Sequence, residues 1–284
     1  VEEDTQDILK KVRRIEVKTK NLSKHIFSGE YHSAFKGRGM SFSEVRSYGF
    51  GDDVRDIDWN VTAKTGAPHI KVYEEERELT LMLLIDVSAS TQTGSRQIKN
   101  DLITELAALL AFSATTNNDK VGAILFSDQV ELYIPPAKGK KHILRIIREM
   151  LRIRPASKGT DLAGALRFMT NVQKKRSIAF VVSDYRTDTY RQALQIASRR
   201  HDIIGIMIND EIDAAMPSVG LLPAVDPESG ELVLIDTSAV DDGGLPHLDE
   251  AIDCFKRSNA DLIQMETGED YVKVLLRFFK GRHG

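Results

Sequence analysis

Between residue 79 and about residue 279, short β-branched or leucine-rich runs alternate with amphipathic stretches. Runs at 79–86, 121–126, 177–183 and 203–209 have the length of strands. Two of them, Leu81-Met82-Leu83-Leu84-Ile85 and Ile178-Ala179-Phe180-Val181-Val182, contain unbroken apolar stretches, as strands buried on both faces do. The segments 99–115, 141–152, 162–173 and 190–199 repeat apolar residues every three or four positions, the period of a helix face. Each crossover is therefore long enough for a parallel connection. The pattern predicts an α/β fold, an open and mostly parallel sheet with helices on both faces. Turn residues at 154–159 place Thr160 in a loop ahead of a helix. Segments 219–225 and 232–235, around Asp226-Pro227-Glu228-Ser229-Gly230, read as an antiparallel hairpin inserted near 219–236 before the closing helices.

The first 78 residues have another texture. Residues 7–24 form a basic amphipathic helix with an apolar stripe of Ile8, Val12, Ile15 and Leu22. Residues 37–51 alternate Met40, Phe42, Val45 and Tyr48 among glycines, which points to β structure. The expected organisation is an N-terminal extension, 1–78, packing on an α/β domain, 79–284.

Composition changes the picture mainly by exclusion. The chain has 284 residues, 42% apolar and 29% charged, the balance of a soluble globular protein with a full core. With 39 basic and 42 acidic side chains the formal charge is −3, so no global field favours nucleic acid. The basic helix is then read as a solvated face around its buried stripe. Cys254 stands alone, which excludes an internal disulfide framework and a cysteine zinc site and fits a reducing compartment. No apolar run reaches the roughly 20 residues of a spanning helix. The polar start Val1-Glu2-Glu3-Asp4 is unlike a signal peptide, so a cytoplasmic location is expected.

The candidate chemistry gathers at strand ends. The run ending at Ile85 leads directly into Asp86-Val87-Ser88-Ala89-Ser90, and the run ending at Val182 leads into Ser183-Asp184. The carboxyl end of an open α/β sheet is where crevices form. Asp86, Ser88 and Ser90 alternate, so one turn can project three oxygen donors, and Thr160 and Asp184 sit in loops able to reach the same point. Hydroxyls and carboxylates without His or Cys are hard ligands, suited to Mg²⁺, Mn²⁺ or Ca²⁺. The competing structural role is two serines capping the next helix beside two ordinary loop carboxylates.

At these residues the chain resembles the von Willebrand factor A superfamily, whose metal-ion-dependent adhesion site reads Asp-x-Ser-x-Ser, then Thr, then Asp. The resemblance implies a von Willebrand factor A-like fold. It also implies Ser88, Ser90 and Thr160 as inner ligands, with Asp86 and Asp184 mainly in the outer sphere. A second pattern, Phe42-x-Glu44-x-Arg46-x-Tyr48 followed by Gly51-Asp52-Asp53-x-Arg55-x-Ile57-Asp58-Trp59, is similar to the bacterial domain-of-unknown-function family fifty-eight. Members are commonly encoded beside a MoxR-type AAA+ ATPase and other von Willebrand A proteins. That implies a helper in complex assembly or maturation, with a protein partner offering an Asp or Glu carboxylate to the metal.

In the segment 51–59, the residues Asp52, Asp53, Arg55, Asp58 and Trp59 offer carboxylate–guanidinium pairing and helix capping. They form a docking epitope, a second cation site, or a hydrogen-bonded clasp that fastens the extension to the core. Phosphate-binding loops, dinucleotide fingerprints, His-Glu-x-x-His and Gly-x-Ser-x-Gly are absent from the sequence, and no catalytic triad can be nominated. The chain is expected to be a binding module and not an enzyme. The alternative is a Mg-dependent phosphotransfer or hydrolytic enzyme. Haloacid-type phosphotransferases place a second acid two residues after the nucleophile, where this chain has Ser88, a group with no proton to give near neutral pH.

Overall fold

The computed structural model of the protein describes residues 2–22, 40–75, 79–92, 99–157, 159–187, 189–210, 221–225, 232–236 and 246–282. The chain divides into two compact units, one made of 1–34 with 80–284 and the other of 35–79.

The larger unit is built on a six-stranded sheet. Its strands are β3 (Thr80–Asp86), β4 (Lys120–Phe126), β5 (Val130–Ala137), β6 (Ile178–Ser183), β7 (Asp202–Asn209) and β10 (Asp261–Glu266), in the order β10-β7-β6-β3-β4-β5. Every neighbouring pair is parallel except β4 with β5. The helices are α3 (Lys99–Thr116), α4 (Lys140–Arg152), α5 (Leu162–Val172), α6 (Arg191–Arg200), α7 (Pro246–Arg257) and α8 (Tyr271–Gly281). A separate antiparallel pair, β8 (Leu221–Val225) with β9 (Leu232–Asp236), is the expected hairpin. This is the open, mostly parallel sheet with helices on both faces expected from the sequence.

Strand periodicity sorts the core. Met82, Leu84, Ala179 and Val181 form one cluster with Leu166 of α5, Leu194 of α6 and Phe255 of α7. On the opposite face, Phe180 of β6 meets Phe279 of α8 edge to face, with ring centroids 6.4 Å apart. Helices thus cover both faces, which is why these strands are apolar throughout. A Cβ on Gly205 of β7 would come within 2.6 Å of the Phe255 ring, so glycine here lets α7 approach the sheet.

Helix α1 (Glu2–Leu22) belongs to this unit as well. It packs on α3 and α4, burying Val12 and Ile15 of the expected stripe, and Lys18 pairs with Glu105 of α3 at 2.6 Å. The first 78 residues are therefore divided between the two units. The stripe finds its cover on helices far downstream, at Lys99–Thr116 and Lys140–Arg152. Leu22 side-chain packing lies outside the described residues.

The smaller unit pairs β1 (Met40–Ser47) with β2 (His69–Glu75), antiparallel, around the short α2 (Trp59–Thr65). Asp58 caps α2, its Oδ1 accepting the N–H groups of Asn60 at 3.0 Å and Val61 at 3.2 Å. Gly66 ends the helix in the left-handed region at φ 74°. Among the described residues, no helix is long and apolar enough to cross a membrane.

Candidate metal centre

Strand β3 leads by way of α3 to β4 on one side of the sheet, whereas β6, its neighbour on the other side, leads on to β7. The carboxyl ends of β3 and β6 therefore flank a topological switch point, where two crossovers leave in opposite directions and open a crevice. Asp86 ends β3, and Asp184 follows the last residue of β6.

The Asp86 carboxylate is fully buried and held from two directions. Its Oδ1 accepts the Ser88 N–H at 2.9 Å, and its Oδ2 accepts the Ser183 hydroxyl at 2.6 Å. The Ser88 and Ser90 hydroxyls stand 3.1 Å apart, and the carbonyl of Ser88 accepts the Thr91 hydroxyl at 2.8 Å. This turn brings three of the five expected donors together without an ordinary helix start, since a 3-10 turn (Ala89–Gln92) follows. Burial first, and the charge of Asp184 second, push the Asp86 carboxyl up to about 6 against the pull of the Ser183 and Ser88 hydrogen bonds.

Asp184 is buried, and its Oδ2 has no hydrogen-bond partner. The Arg186 Nε lies 3.8 Å from that oxygen, too far for a hydrogen bond. The next residue, Tyr185, adopts φ 56°, a left-handed backbone that a bulky side chain enters only when its surroundings over-determine it. Those surroundings are visible. The Tyr185 hydroxyl donates to the Val181 carbonyl at 2.7 Å, its N–H donates to the Ser183 hydroxyl at 3.2 Å, and its ring packs on Phe255. The chain is bent sharply just where Asp184 leaves the strand.

Thr160 is half-buried in the loop before α5. The following residue, Asp161, donates its N–H to the carbonyl of Ser127, at the end of β4, at 2.7 Å. Since β4 lies beside β3, this bond brings the Thr160 loop to the same edge of the sheet. Among the described residues, His, Cys, Asp and Glu alone nowhere gather in a group of three able to hold a metal. The donor set at this edge fits a hard divalent cation on other grounds. It combines buried like charges, an unsatisfied carboxylate oxygen and adjacent hydroxyls. Ser183 was missed by sequence reasoning. Its signal is the register, because Ile85 pairs with Val182 and so Asp86 stands level with Ser183.

The residues of the second pattern lie in the smaller unit and pair locally. Arg46 makes a bidentate contact with Asp52 at 2.7 and 2.8 Å, and Asp52 also accepts the Gly49 N–H at 2.7 Å. Arg55 pairs with Asp53 at 2.7 Å, and Lys71 lies 3.8 Å from Asp58. Trp59 is 69% exposed and Phe50, at the tip of the Gly49 turn, is fully exposed.

Residues 44–241 match the family described as "Protein of unknown function DUF58". Uncharacterised proteins of Mycobacterium tuberculosis and Mycobacterium bovis are each 29% identical over 281 residues, spanning 95% of this chain and 88% of theirs. The crystal structure of an aerotolerance-related membrane protein from Bacteroides fragilis superposes with a TM-score of 0.50 at 15% identity, covering 72% of this chain and 99% of that one. At that identity the likeness concerns the fold alone. With well over half of its length matched, the chain belongs to the DUF58 family.

Proposed function

We propose that this chain is a protein-interaction module whose carboxyl-edge site is a metal-ion-dependent adhesion site. In this reading Ser88, Ser90 and Thr160 hold Mg²⁺, or Mn²⁺ or Ca²⁺ in its place, and Asp86 and Asp184 support it. The observation that carries the reading is the buried Asp86–Asp184 pair. Two carboxylates share a water-poor edge, and one oxygen of Asp184 has no hydrogen-bond partner. The Arg186 Nε, 3.8 Å from that oxygen and outside hydrogen-bond range, offsets this only in part, and a bound cation would offset the rest. When bound, the cation supplies positive charge and a coordination position open to exchange. The protein's own residues do the rest: Ser183 and the Ser88 N–H orient Asp86, and the bend at Tyr185 aims Asp184.

The ligand expected at that open position is an Asp or Glu carboxylate of a protein partner. Neutral hydroxyl ligands leave more of the cation's charge to attract it. We further propose the cytoplasm as its location and a MoxR-type AAA+ ATPase, or another von Willebrand A protein, as the partner. The role is then that of a helper in complex assembly and is not catalytic. The test is calorimetric titration of Mg²⁺ and Mn²⁺ into wild-type protein and Asp86→Ala. Binding by wild type that the variant loses supports the site, and equal binding by both, or none by wild type at millimolar metal, refutes it.

A further inference from the structure

One ligand of the proposed site comes from a loop, and loops are ordinarily the least ordered part of a fold. The stretch between α4 and α5 carries Thr160, and its order has an identifiable source. The Ala156 N–H donates to Glu131 Oε1 at 2.9 Å, and the Ser127 hydroxyl donates to the same oxygen at 2.6 Å. The Ser157 hydroxyl donates to Asp128 Oδ2 at 2.6 Å. On the other side of Thr160, the Asp161 N–H reaches the Ser127 carbonyl at 2.7 Å, and Asp161 then accepts the Gly164 N–H at 2.8 Å to start α5. A Cβ on Gly159 would lie only 3.7 Å from the Asp128 Cβ, so the loop runs close over that residue. Thr160 is thus bracketed, at 156–157 and at 161, by bonds that end on the turn between β4 and β5 or on Glu131 at the start of β5.

We propose that Glu131 and Asp128 are positioning residues, which hold the loop so that Thr160 meets the carboxyl ends of β3 and β6 and thereby set the affinity of the site for its cation. This inference rests on the cation reading above. Neither acid belongs to the Asp-x-Ser-x-Ser, Thr, Asp pattern, and in sequence both look like ordinary surface charges of a turn. Geometry separates them from ligands: their oxygens are turned to the loop's own donors. Glu131 Oε1 is a branch point, joining the β4 end through Ser127 to the loop through Ala156, and its loss would release both at once. An ordered loop loses less conformational freedom on closing round an ion, so the anchor acts through preorganisation. Outer partners of metal ligands typically change affinity by roughly 10–100-fold when removed.

The experiment is calorimetric titration of Mg²⁺ alone into wild type, Glu131→Ala, Glu131→Gln, Thr160→Ala and the double variant Glu131→Ala/Thr160→Ala, with melting followed in parallel. Glu131→Ala is expected to weaken Mg²⁺ about tenfold. Glu131→Gln keeps a carbonyl oxygen for both donors and should stay within about threefold of wild type, because the anchor needs an acceptor and not a charge. In the double variant the second change should add nothing to Thr160→Ala, since the loop then has no ligand to position. Three results overturn the proposal: Glu131→Ala binding like wild type, Glu131→Gln falling as far as Glu131→Ala, or full additivity in the double variant. Asp128→Ala, which frees Ser157 and removes a long 3.4 Å contact from the Ser127 hydroxyl, serves in place of Glu131→Ala should that protein fail to fold. If wild type itself takes up no Mg²⁺, the cation reading fails. The anchor is then judged by amide hydrogen exchange at Ala156 and Asp161, which must rise in Glu131→Ala and not in Glu131→Gln; unchanged exchange removes the anchor too.

Discussion

At the amino ends of β7 and β10 the sheet matches charge with charge. The Arg282 guanidinium, its side chain 11% exposed, reaches Asp202 at 2.7 Å and Asp261 at 2.7 Å. Beside it the buried Ser177 hydroxyl stands 3.0 Å from His201 Nδ1. At the carboxyl ends of β3 and β6 the same sheet does the reverse, placing Asp184 near enough to raise the Asp86 carboxyl and leaving an oxygen of Asp184 without a hydrogen bond. Both edges are rich in polar groups, and each leaves one buried atom without a hydrogen bond, His201 Nε2 at the amino edge and Asp184 Oδ2 at the carboxyl edge. What differs is the balance of charge: Arg282 meets Asp202 and Asp261 at 2.7 Å, whereas the Asp86–Asp184 pair has only the Arg186 Nε at 3.8 Å. An edge that neutralises its own charges needs no ion, whereas one with an excess of one sign is a candidate for binding the opposite sign.

The comparison predicts opposite signs for substitutions at the two edges. The largest effect is expected at the amino edge. Arg282→Ala leaves Asp202, also 11% exposed, without its guanidinium, and urea unfolding should report a loss of about 3–5 kcal/mol. A loss below about 1 kcal/mol would mean that water replaces the guanidinium without cost and that the edge gains nothing from neutralising its own charges.

The next effect is a pH dependence. His201 is buried, and burial first, then Arg200 and Arg176, pull its pKa down to about 4 from an ordinary value near 6.5. Between those values the unfolded chain takes up a proton that the folded one refuses. The stability is therefore fully present above about pH 6.5 and is lost as the pH falls toward 4, at about 1.4 kcal/mol per unit. His201→Gln removes this titration. Comparing the two proteins cancels the other groups, so the advantage of wild type should shrink by about 2 kcal/mol between pH 7 and pH 5. An advantage that stays constant across that range would show that His201 titrates normally.

How far these edges could be read beforehand depends on how local their contacts are. Asp86, Ser88 and Ser90 were legible because they share one turn after an unbroken apolar run. The strand Val130–Ala137 was not, because it lies antiparallel at the sheet's edge, is mostly half-buried and carries Pro135 and Pro136, which break the pattern. The strand Asp261–Glu266 was missed for a related reason: it is short, buries Ile263 and Met265, and among the described residues pairs with β7, more than fifty residues earlier. The apolar stripe of α1 was legible from its period, but the helices it packs on, α3 and α4, were not, since they lie far along the chain. Glu131 and Ser183 act through register and tertiary contact, for which local spacing gives no sign.

A smaller effect of the opposite sign is expected at the carboxyl edge. Asp184→Asn removes one of two like charges while keeping an oxygen for the Arg186 N–H at 3.4 Å. Metal-free protein should gain about 1 kcal/mol, as substitutions that relieve a functional site commonly do. The same variant should lose any rise in melting temperature on adding Mg²⁺, because ligand stabilisation follows affinity. A variant less stable than wild type in EDTA would show that the Arg186 Nε, 3.8 Å from Asp184 Oδ2, already outweighs the repulsion between the two carboxylates, and the contrast between the edges would collapse.

The smallest effect tests whether burial, and not pairing geometry, makes the amino edge costly to break. Arg46 and Asp52 in the smaller unit form a bidentate pair at 2.7 and 2.8 Å, fully comparable with the Arg282–Asp202 contact at 2.7 and 3.3 Å. The side chains are 47% and 21% exposed, against 11% for each member of the buried pair. Water can solvate either group once its partner is gone, so no uncompensated charge is stranded. Arg46→Gln should therefore leave the urea midpoint where it is in wild type. Its effect should be local: Asp52 loses a donor but keeps the Gly49 N–H, and amide exchange at Gly49 and Asp52 should rise modestly while the rest of the chain is unchanged. A clear fall in the midpoint would show that the pair bears on the stability of the fold despite its exposure. The cost at Arg282 would then have to be attributed to bidentate geometry and not to burial.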